Sequence, residues 1–338
     1  MHELRKDPLL NRWVAILDYS LKPEDYARKM TRRAEEKASC VFCAGREAET
    51  PPEIAAIRAN GTEPNTPGWA ARVIPNPKPI LHIEGDLDRR GVGMYDRMNS
   101  VGANEILIET PEHGLRAEDM GSEQVKKVFS LYKERMADLE KDARMRYIFI
   151  CKNSGRGAGA MYSHSHSEIT ATPVIPKLLK EELDSAKHYY AYKERCIFCD
   201  IMTEEQRAGA RVIADSGHFI AFCPYAPKFP FDFWVMPKRH SCAFQDMSGD
   251  ELDDLSVLMT SLLKKLRGVL DEPAFHYVVH TAPNRIPRRD HWHTLGDDFH
   301  WHIEVTPRLV RSSGFEWGSD FYVLTTTPED AAKYLKEA

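Results

Sequence analysis

Apolar residues after Gly121 fall at Val125, Val128, Phe129, Tyr132, Met136 and Leu139. These three- and four-residue steps place one stripe along an α-helix. A second stripe follows Ser248, at Leu252, Leu255, Leu258, Met259 and Leu262, and Ser248 with Glu251 spells a capping box at its start. Short β-rich blocks flank both helices. Ile106-Leu107-Ile108 precedes the first and Tyr147-Ile148-Phe149-Ile150 follows it, while Phe233-Trp234-Val235-Met236 and Phe275-His276-Tyr277-Val278-Val279 flank the second. The same order of elements occurs twice, which predicts an α+β protein built by internal duplication, each copy an antiparallel sheet with packed helices. Pro173, Pro176 and the Lys/Glu cluster after them interrupt the apolar pattern. That break divides the chain into modules of residues 1–176 and 177–338.

Composition narrows the function classes. The 338 residues are 42% hydrophobic and 29% charged with a net charge of −5, a balance that suits two ordinary globular domains and excludes disordered and collagen-like classes. No long basic run supplies the footprint of nucleic-acid binding, so no nucleic-acid partner is expected. The segment Met1 to Asp7 lacks a signal-peptide core and no stretch approaches membrane-span length, so a cytoplasmic protein with no membrane partner is expected.

The duplicated frame carries duplicated chemistry. Cys40-Val41-Phe42-Cys43 is followed by His113 and then His164-Ser165-His166; Cys196-Ile197-Phe198-Cys199 is followed by His240 and then His300-Trp301-His302. In a reducing compartment, Cys-x-x-Cys with distant histidines favours metal over disulfide. The expected ligand sets are Cys40, Cys43, His113 and His164, and Cys196, Cys199, His240 and His300. Both are closed Cys2His2 shells that suit structural zinc, two Zn2+ in all, with iron an alternative at one site. The remaining cysteines, Cys151, Cys223 and Cys242, are expected to be inert packing residues. Alternation along a strand then turns His166 to the same side as His164, as a preoriented imidazole that no metal takes. Just upstream, Asn153-Ser154-Gly155-Arg156-Gly157-Ala158-Gly159-Ala160 forms a glycine-rich turn whose N–H groups suit phosphate oxygens, although such glycines also serve a plain tight hairpin. A neutral imidazole beside such a turn can attack phosphorus and form a covalent intermediate.

The set Cys-x-x-Cys, Arg72-Val73-Ile74-Pro75-Asn76, Gly102-Ala103-Asn104-Glu105, Asn153 to Ala160 and His164-Ser165-His166 resembles the galactose-1-phosphate uridylyltransferase family of the histidine-triad superfamily. The likeness runs from Asp7-Pro8-Leu9 and Trp13 to His300-Trp301-His302-Ile303-Glu304. Serine between the histidines and Gly314-Phe315-Glu316-Trp317-Gly318 resemble the ADP-glucose phosphorylase-like branch. The resemblance implies two histidine-triad-like modules and a ping-pong transfer in which His166 takes a nucleoside monophosphate from a nucleotide sugar and passes it to a hexose 1-phosphate. The alternatives are inorganic phosphate as acceptor, and a zinc-stabilised nucleotide-binding protein with little turnover. It further implies that Asn76 contacts the nucleoside, that Asn153, Gly155, Gly157 and Gly159 lie on the phosphate side, and that Lys22 before Pro23 is the family's basic position. A homodimer is implied too, in which the loop bearing Arg285, Arg288 and Arg289 serves the neighbouring site. His291-Trp292-His293 in that loop is a decoy His-x-His. Two residues depart from the family pattern: Met161 replaces a serine, and Glu168, placed with His166 in the catalytic set, replaces a glutamine. An ionised carboxylate repels a phosphoryl oxygen where an amide donates to it, whereas a protonated Glu168 can still donate. The same His-x-His-x-Glu spelling at His300 to Glu304 also suits a purely structural glutamate.

Overall fold

The computed structural model describes residues 2–26, 39–59, 61–287 and 292–338. Strands β1 (Glu3–Lys6) and β2 (Trp13–Ile16) form a hairpin before the single-turn helix α1 (Pro23–Tyr26). The first half continues with β3 (Ala55–Arg58), β4 (Trp69–Pro75), the hairpin of β5 (Arg90–Val92) and β6 (Tyr95–Arg97), β7 (Ala103–Ile108), α2 (Ser122–Leu139), β8 (Tyr147–Ser154) and β9 (His166–Thr172). Helices α3 (Lys177–Lys193) and α4 (Ile197–Ala208) lead into the second half. There follow β10 (Val212–Asp215), β11 (Phe219–Phe222), β12 (Phe233–Pro237), α5 (Gly249–Leu270), β13 (Phe275–His280), α6 (Leu295–Asp298) and β14 (His302–Pro307). The chain closes with α7 (Gly314–Ser319), β15 (Tyr322–Leu324) and α8 (Pro328–Glu337). Strand β15 pairs in parallel with β2, so the two chain ends share one small sheet.

The α+β fold with a duplicated arrangement of elements is as expected, but the two sheets are one. Ten antiparallel strands run in the order β10-β11-β12-β14-β13-β8-β9-β7-β4-β3. Each half contributes five strands, and β8 pairs with β13 at the centre, with Cys151 opposite Val278. An approximate twofold relation passes through that pair: outward from it, β9 matches β14, β7 matches β12 and β4 matches β11. Either half alone would leave β8 or β13 as an open edge with unpaired N–H and C=O groups, and joining them satisfies both.

Helices α2 and α5 pack on each other and on one face of this sheet. All the apolar stripe residues of both helices are buried there, with Val73, Leu107, Ile150 and Ile169 of the first half and Val235, Val279, Ile303 and Val305 of the second. The strands alternate, so their other residues point to the opposite face. Ile74, Ile106 and Ile108 line that face in the first half with Cys40, Phe42 and Cys43. Ile220, Phe222, Trp234 and Met236 line it in the second with Cys196 and Phe198. Both chemical centres therefore sit on the face that α2 and α5 leave open. No described helix is long and apolar enough to cross a membrane.

The capping box at Ser248 is formed in full: its hydroxyl accepts from the Glu251 N–H, and Glu251 accepts from the Ser248 N–H. Ser248→Ala is expected to lower unfolding stability by ~1 kcal/mol, read from the midpoint of a urea titration; an unchanged midpoint would show that the cap contributes nothing.

Candidate functional site

Each expected ligand set converges. Ligand atoms of Cys40, Cys43, His113 and His164 lie within 4.8 Å of one another, as do those of Cys196, Cys199, His240 and His300. In the first group, sulfur-to-nitrogen distances are 3.5 Å for Cys40 to His164 Nδ1, 3.4 Å for Cys43 to His113 Nδ1 and 3.8 Å for Cys43 to His164 Nδ1. In the second, Cys199 lies 3.3 Å from His240 Nδ1 and 3.4 Å from His300 Nδ1. A tetrahedral zinc with ordinary bond lengths gives sulfur-to-nitrogen edges of about 3.6 Å. The donor sets therefore fit such an ion.

The tautomers fit as well. His164 Nε2 lies 2.7 Å from the Thr110 carbonyl, and His240 Nε2 lies 2.9 Å from the Gly296 carbonyl. A carbonyl only accepts, so each Nε2 carries the proton and each Nδ1 offers its lone pair to the cluster. Burial holds His164 neutral by lowering its pKa to about 4. Burial likewise pushes the Cys40 thiol up to about 11, whereas the Cys196 thiol, aided by His240 and His300, pulls Cys199 down to about 3. Two His/Cys clusters able to coordinate metal are thus present.

His166 opens β9, two residues beyond His164. Its Nδ1 lies 2.8 Å from the His164 carbonyl, so Nδ1 donates and the lone pair resides on Nε2. The ring is 3% exposed, edge-on to Tyr162 at 5.5 Å and tilted against Phe42 at 6.1 Å. On the reverse face of this segment lies a buried network that sequence reasoning missed. Lys152 Nζ donates to Glu109 at 2.5 Å, to Ser165 Oγ at 3.0 Å and to the His166 carbonyl at 3.1 Å. Ser165 and Ser167 both donate to Glu109 as well. Burial alone would raise the Glu109 carboxyl, but the Lys152 ammonium outweighs it and the pKa is lowered. This pair grips the His-Ser-His segment by its serines and backbone. Such a buried pair is costly to break, by ~3–5 kcal/mol.

Glu168 lies on the same strand face as His166 and is paired in register with Ile106 and Cys151. Burial raises its pKa, opposed by a side-chain hydrogen bond from Asn153. Asn153 therefore engages Glu168, and it lies two residues beyond Cys151, the register partner of Glu168, on the same strand face. In the glycine turn that follows, Gly155 and Gly159 adopt φ of +81° and +90°, and a Cβ on Gly155 would meet Ala274 at 3.2 Å. The N–H groups of Ala158, Gly159 and Ala160 close the turn itself. Those of Arg156 and Gly157 are not used in these bonds. Asn76 shares the site face but is 7% exposed, with Nδ2 donating to Asn104 and Oδ1 accepting from the Lys78 N–H. Met161 is 56% exposed.

Two further expected contributors, Lys22 and Arg285, have contacts of their own. Lys22 is exposed and its N–H caps α1 through Asp25; the neighbouring Tyr26 packs on Phe231 and bonds Thr325 and Thr326 in the second half. Arg285 is tied to its own chain by Glu140 at 3.1 Å and Asp246 at 2.5 Å, so it is not held out toward a neighbour. Arg288, Arg289 and His291 lie outside the described residues.

The matching histidine of the second half, His302, has different surroundings. It is fully buried, stacked between Trp234 and His280 at 4.6 Å each, with Nε2 3.3 Å from Glu182. His280 occupies the position that Asn153 holds in the first half. Burial works to lower the His280 pKa, but Glu182 at 2.8 Å overrides it and raises the value to about 10. Glu182, His280 and His302 form a third compact group of metal-competent side chains. Sequence reasoning missed it because Glu182 sits on the linking helix α3. The available signal was His280, the second-half counterpart of Asn153 under the duplication.

The fold and these paired clusters define a duplicated histidine-triad protein. The family model described as galactose-1-phosphate uridyl transferase, N-terminal domain, matches residues 2–176, and that for the C-terminal domain matches residues 182–316. The chain belongs to the galactose-1-phosphate uridyl transferase family, whose enzymes carry out nucleotidyl transfer or phosphorolysis. It is 33% identical to ADP-glucose phosphorylase from Arabidopsis thaliana over 99% of this chain and 92% of that protein. Identity to galactose-1-phosphate uridylyltransferase from Thermotoga maritima is 25%, over 100% and 98% of the two chains. The crystal structure of an ADP-glucose phosphorylase from Arabidopsis thaliana with bound ADP-glucose superimposes with a TM-score of 0.82, at 31% identity, covering 100% of this chain and 99% of that one.

Cys40→Ala is expected to lower bound metal by one equivalent per chain in elemental analysis and to destabilise the first half. Full metal content in the variant would exclude Cys40 as a ligand.

Proposed function

We propose that the protein is a nucleotide-sugar phosphorylase that works through a covalent nucleotidyl-His166 intermediate. The observation that carries this is the His166 Nδ1–H bond to the His164 carbonyl, which leaves a neutral lone pair on Nε2. In the first step Nε2 attacks the α-phosphorus of a nucleotide sugar such as ADP-glucose. A P–N bond forms, the P–O bond to the β-phosphate breaks, and sugar 1-phosphate leaves. In the second step an oxygen of inorganic phosphate attacks the same phosphorus, the P–N bond breaks and a nucleoside diphosphate is released. The Arg156 and Gly157 N–H groups supply donors for the phosphoryl oxygens. Cys40, Cys43, His113 and His164 would hold a zinc ion, which would supply structural cross-linking there.

The sequence alone ranked hexose 1-phosphate as acceptor ahead of inorganic phosphate. The higher identity to ADP-glucose phosphorylase than to the uridylyltransferase from Thermotoga, together with the serine between the histidines, supports phosphate. The working unit in this reading is a homodimer, as the family resemblance implies. Product analysis separates the acceptors: ADP-glucose with phosphate should yield ADP and glucose 1-phosphate, and a requirement for a second sugar phosphate would favour uridylyl-type transfer.

Radiolabelled ADP-glucose without phosphate is expected to leave acid-labile label on the protein, and His166→Ala to abolish it with metal content unchanged. Equal labelling of His166→Ala would remove this histidine from the mechanism. Glu168 gives a pH test. Burial raises its pKa, and only the protonated carboxyl donates to a phosphoryl oxygen, so kcat/KM should fall as pH rises through that pKa. Glu168→Gln should raise the rate at high pH and remove this limb; a slower variant with the limb intact would make Glu168 structural only.

A further inference from the structure

A cavity of about 450 Å3 opens on the same sheet face in the second half. Its floor is the duplicate of the ground beside Glu168. Trp234 on β12 pairs with Glu304 on β14 as Ile106 pairs with Glu168, and Ile197 lines the cavity from within its Cys-x-x-Cys as Val41 sits within the other. Where the first half has Ile106, however, the second carries an indole, and the strand β2 hairpin inserts Arg12 beside it.

Both side chains hold donors without partners. The Arg12 side chain is 7% exposed and its Nη2 lies 2.8 Å from Asp7, while its Nε and Nη1 have no hydrogen-bond partner among the described residues; nor does Trp234 Nε1. Buried donors left unpaired are costly, and one guanidinium with two such nitrogens lining a cavity points to a ligand that accepts. The acids around the cavity are already engaged. Asp200 accepts from Tyr189 and Arg195, Glu204 pairs with Arg207 and Glu205 with Arg211. Glu304 lies 3.4 Å from His280 Nε2, with its side chain 25% exposed, and it remains able to accept. A bare anion would sit against this carboxylate, whereas a ring system bearing both acceptors and donors meets all three groups. The apolar walls suit such a ring: Tyr225 lies in the lining, its ring 4.7 Å from the Arg5 and 5.1 Å from the Arg211 guanidinium. The volume falls in the range of small-molecule sites, ~300–1,000 Å3.

We propose that this cavity is a second, non-catalytic site that binds a nucleoside moiety, with ring or ribose acceptors on Arg12 and Trp234 and a hydroxyl or amine donating to Glu304. No transfer occurs there, since His302 is enclosed by Trp234, His280 and Glu182. Exposed Lys6 at the rim suits a phosphate extension, so a nucleoside and its monophosphate share the recognised chemistry. The site does not depend on His166 being the nucleophile.

Equilibrium dialysis of the intact protein with adenosine, uridine and AMP tests it. Two binding events per chain are expected for at least one of these. Arg12→Met should weaken one event at least tenfold while leaving turnover of ADP-glucose in place. Trp234→Phe, which removes the indole N–H and keeps an aromatic ring, should weaken the same event and covers the case in which Arg12→Met fails to fold. AMP binding tighter than adenosine would support a phosphate at Lys6, and equal binding would confine recognition to the nucleoside. A single event sensitive to Trp234→Phe would support this site and count against nucleotide binding beside His166. Binding that both substitutions leave unchanged, whether one event per chain or two, would overturn the proposal.

Discussion

His164 is constrained at every polar atom it offers toward the site. Nδ1 faces the thiols of Cys40 and Cys43, Nε2–H is given to the Thr110 carbonyl, and its own carbonyl receives Nδ1–H of His166. These contacts fit one tautomer of each ring, and together they link the metal-competent cluster to the neighbouring imidazole. A nucleophile must present its lone pair at a fixed position before substrate arrives, because reorientation during the reaction would add to the barrier. The Glu109–Lys152 pair gives the same segment a second anchor from behind, so that it is held from both faces of the sheet.

Duplication then explains the division of labour. The two halves share strand order, helix stripe, cluster geometry and the His-x-His-x-Glu spelling, yet a few substitutions at matched positions change what the second histidine can do. Asn153 in the first half becomes His280 in the second, Ile106 becomes Trp234, and α3 inserts Glu182 beside His302. The result is one imidazole whose Nδ1 bonds a backbone carbonyl and another packed between two rings beside a carboxylate. In the proposed reading the chemistry belongs to the first half, and the other half contributes the strand β13 that closes the central sheet.

Much of this was legible from residue pattern. The α2 and α5 stripes, the cap at Ser248 and both Cys/His sets were read from spacing alone, because period, cap chemistry and ligand spacing are local properties. What escaped depends on long-range placement. Pairing of β8 with β13 is a choice between two compatible edges, and neither sequence announces its partner. Lys152 reads as the polar member of an alternating strand, and only the return of β9 brings Glu109, Ser165 and Ser167 around it. The docking of the Lys22 segment through Tyr26 on Phe231, Thr325 and Thr326 joins residues about 200 to 300 positions apart. The glycine turn was located correctly as a turn, while the use of three of its N–H groups in self-closure depends on backbone angles that spelling does not specify. The parallel pairing of β15 with β2 joins residues from opposite chain ends, beyond any periodic signal.

The central claim is that the clamp on His164 fixes His166 as the neutral Nδ1–H tautomer. Long-range proton–nitrogen NMR on protein labelled with 15N-histidine reads this directly. The account predicts an unprotonated Nε2 and a protonated Nδ1 for His166 near neutral pH, with that pattern lost when Cys40 is replaced. A protonated Nε2 at His166, or a pattern indifferent to the loss of Cys40, would contradict it.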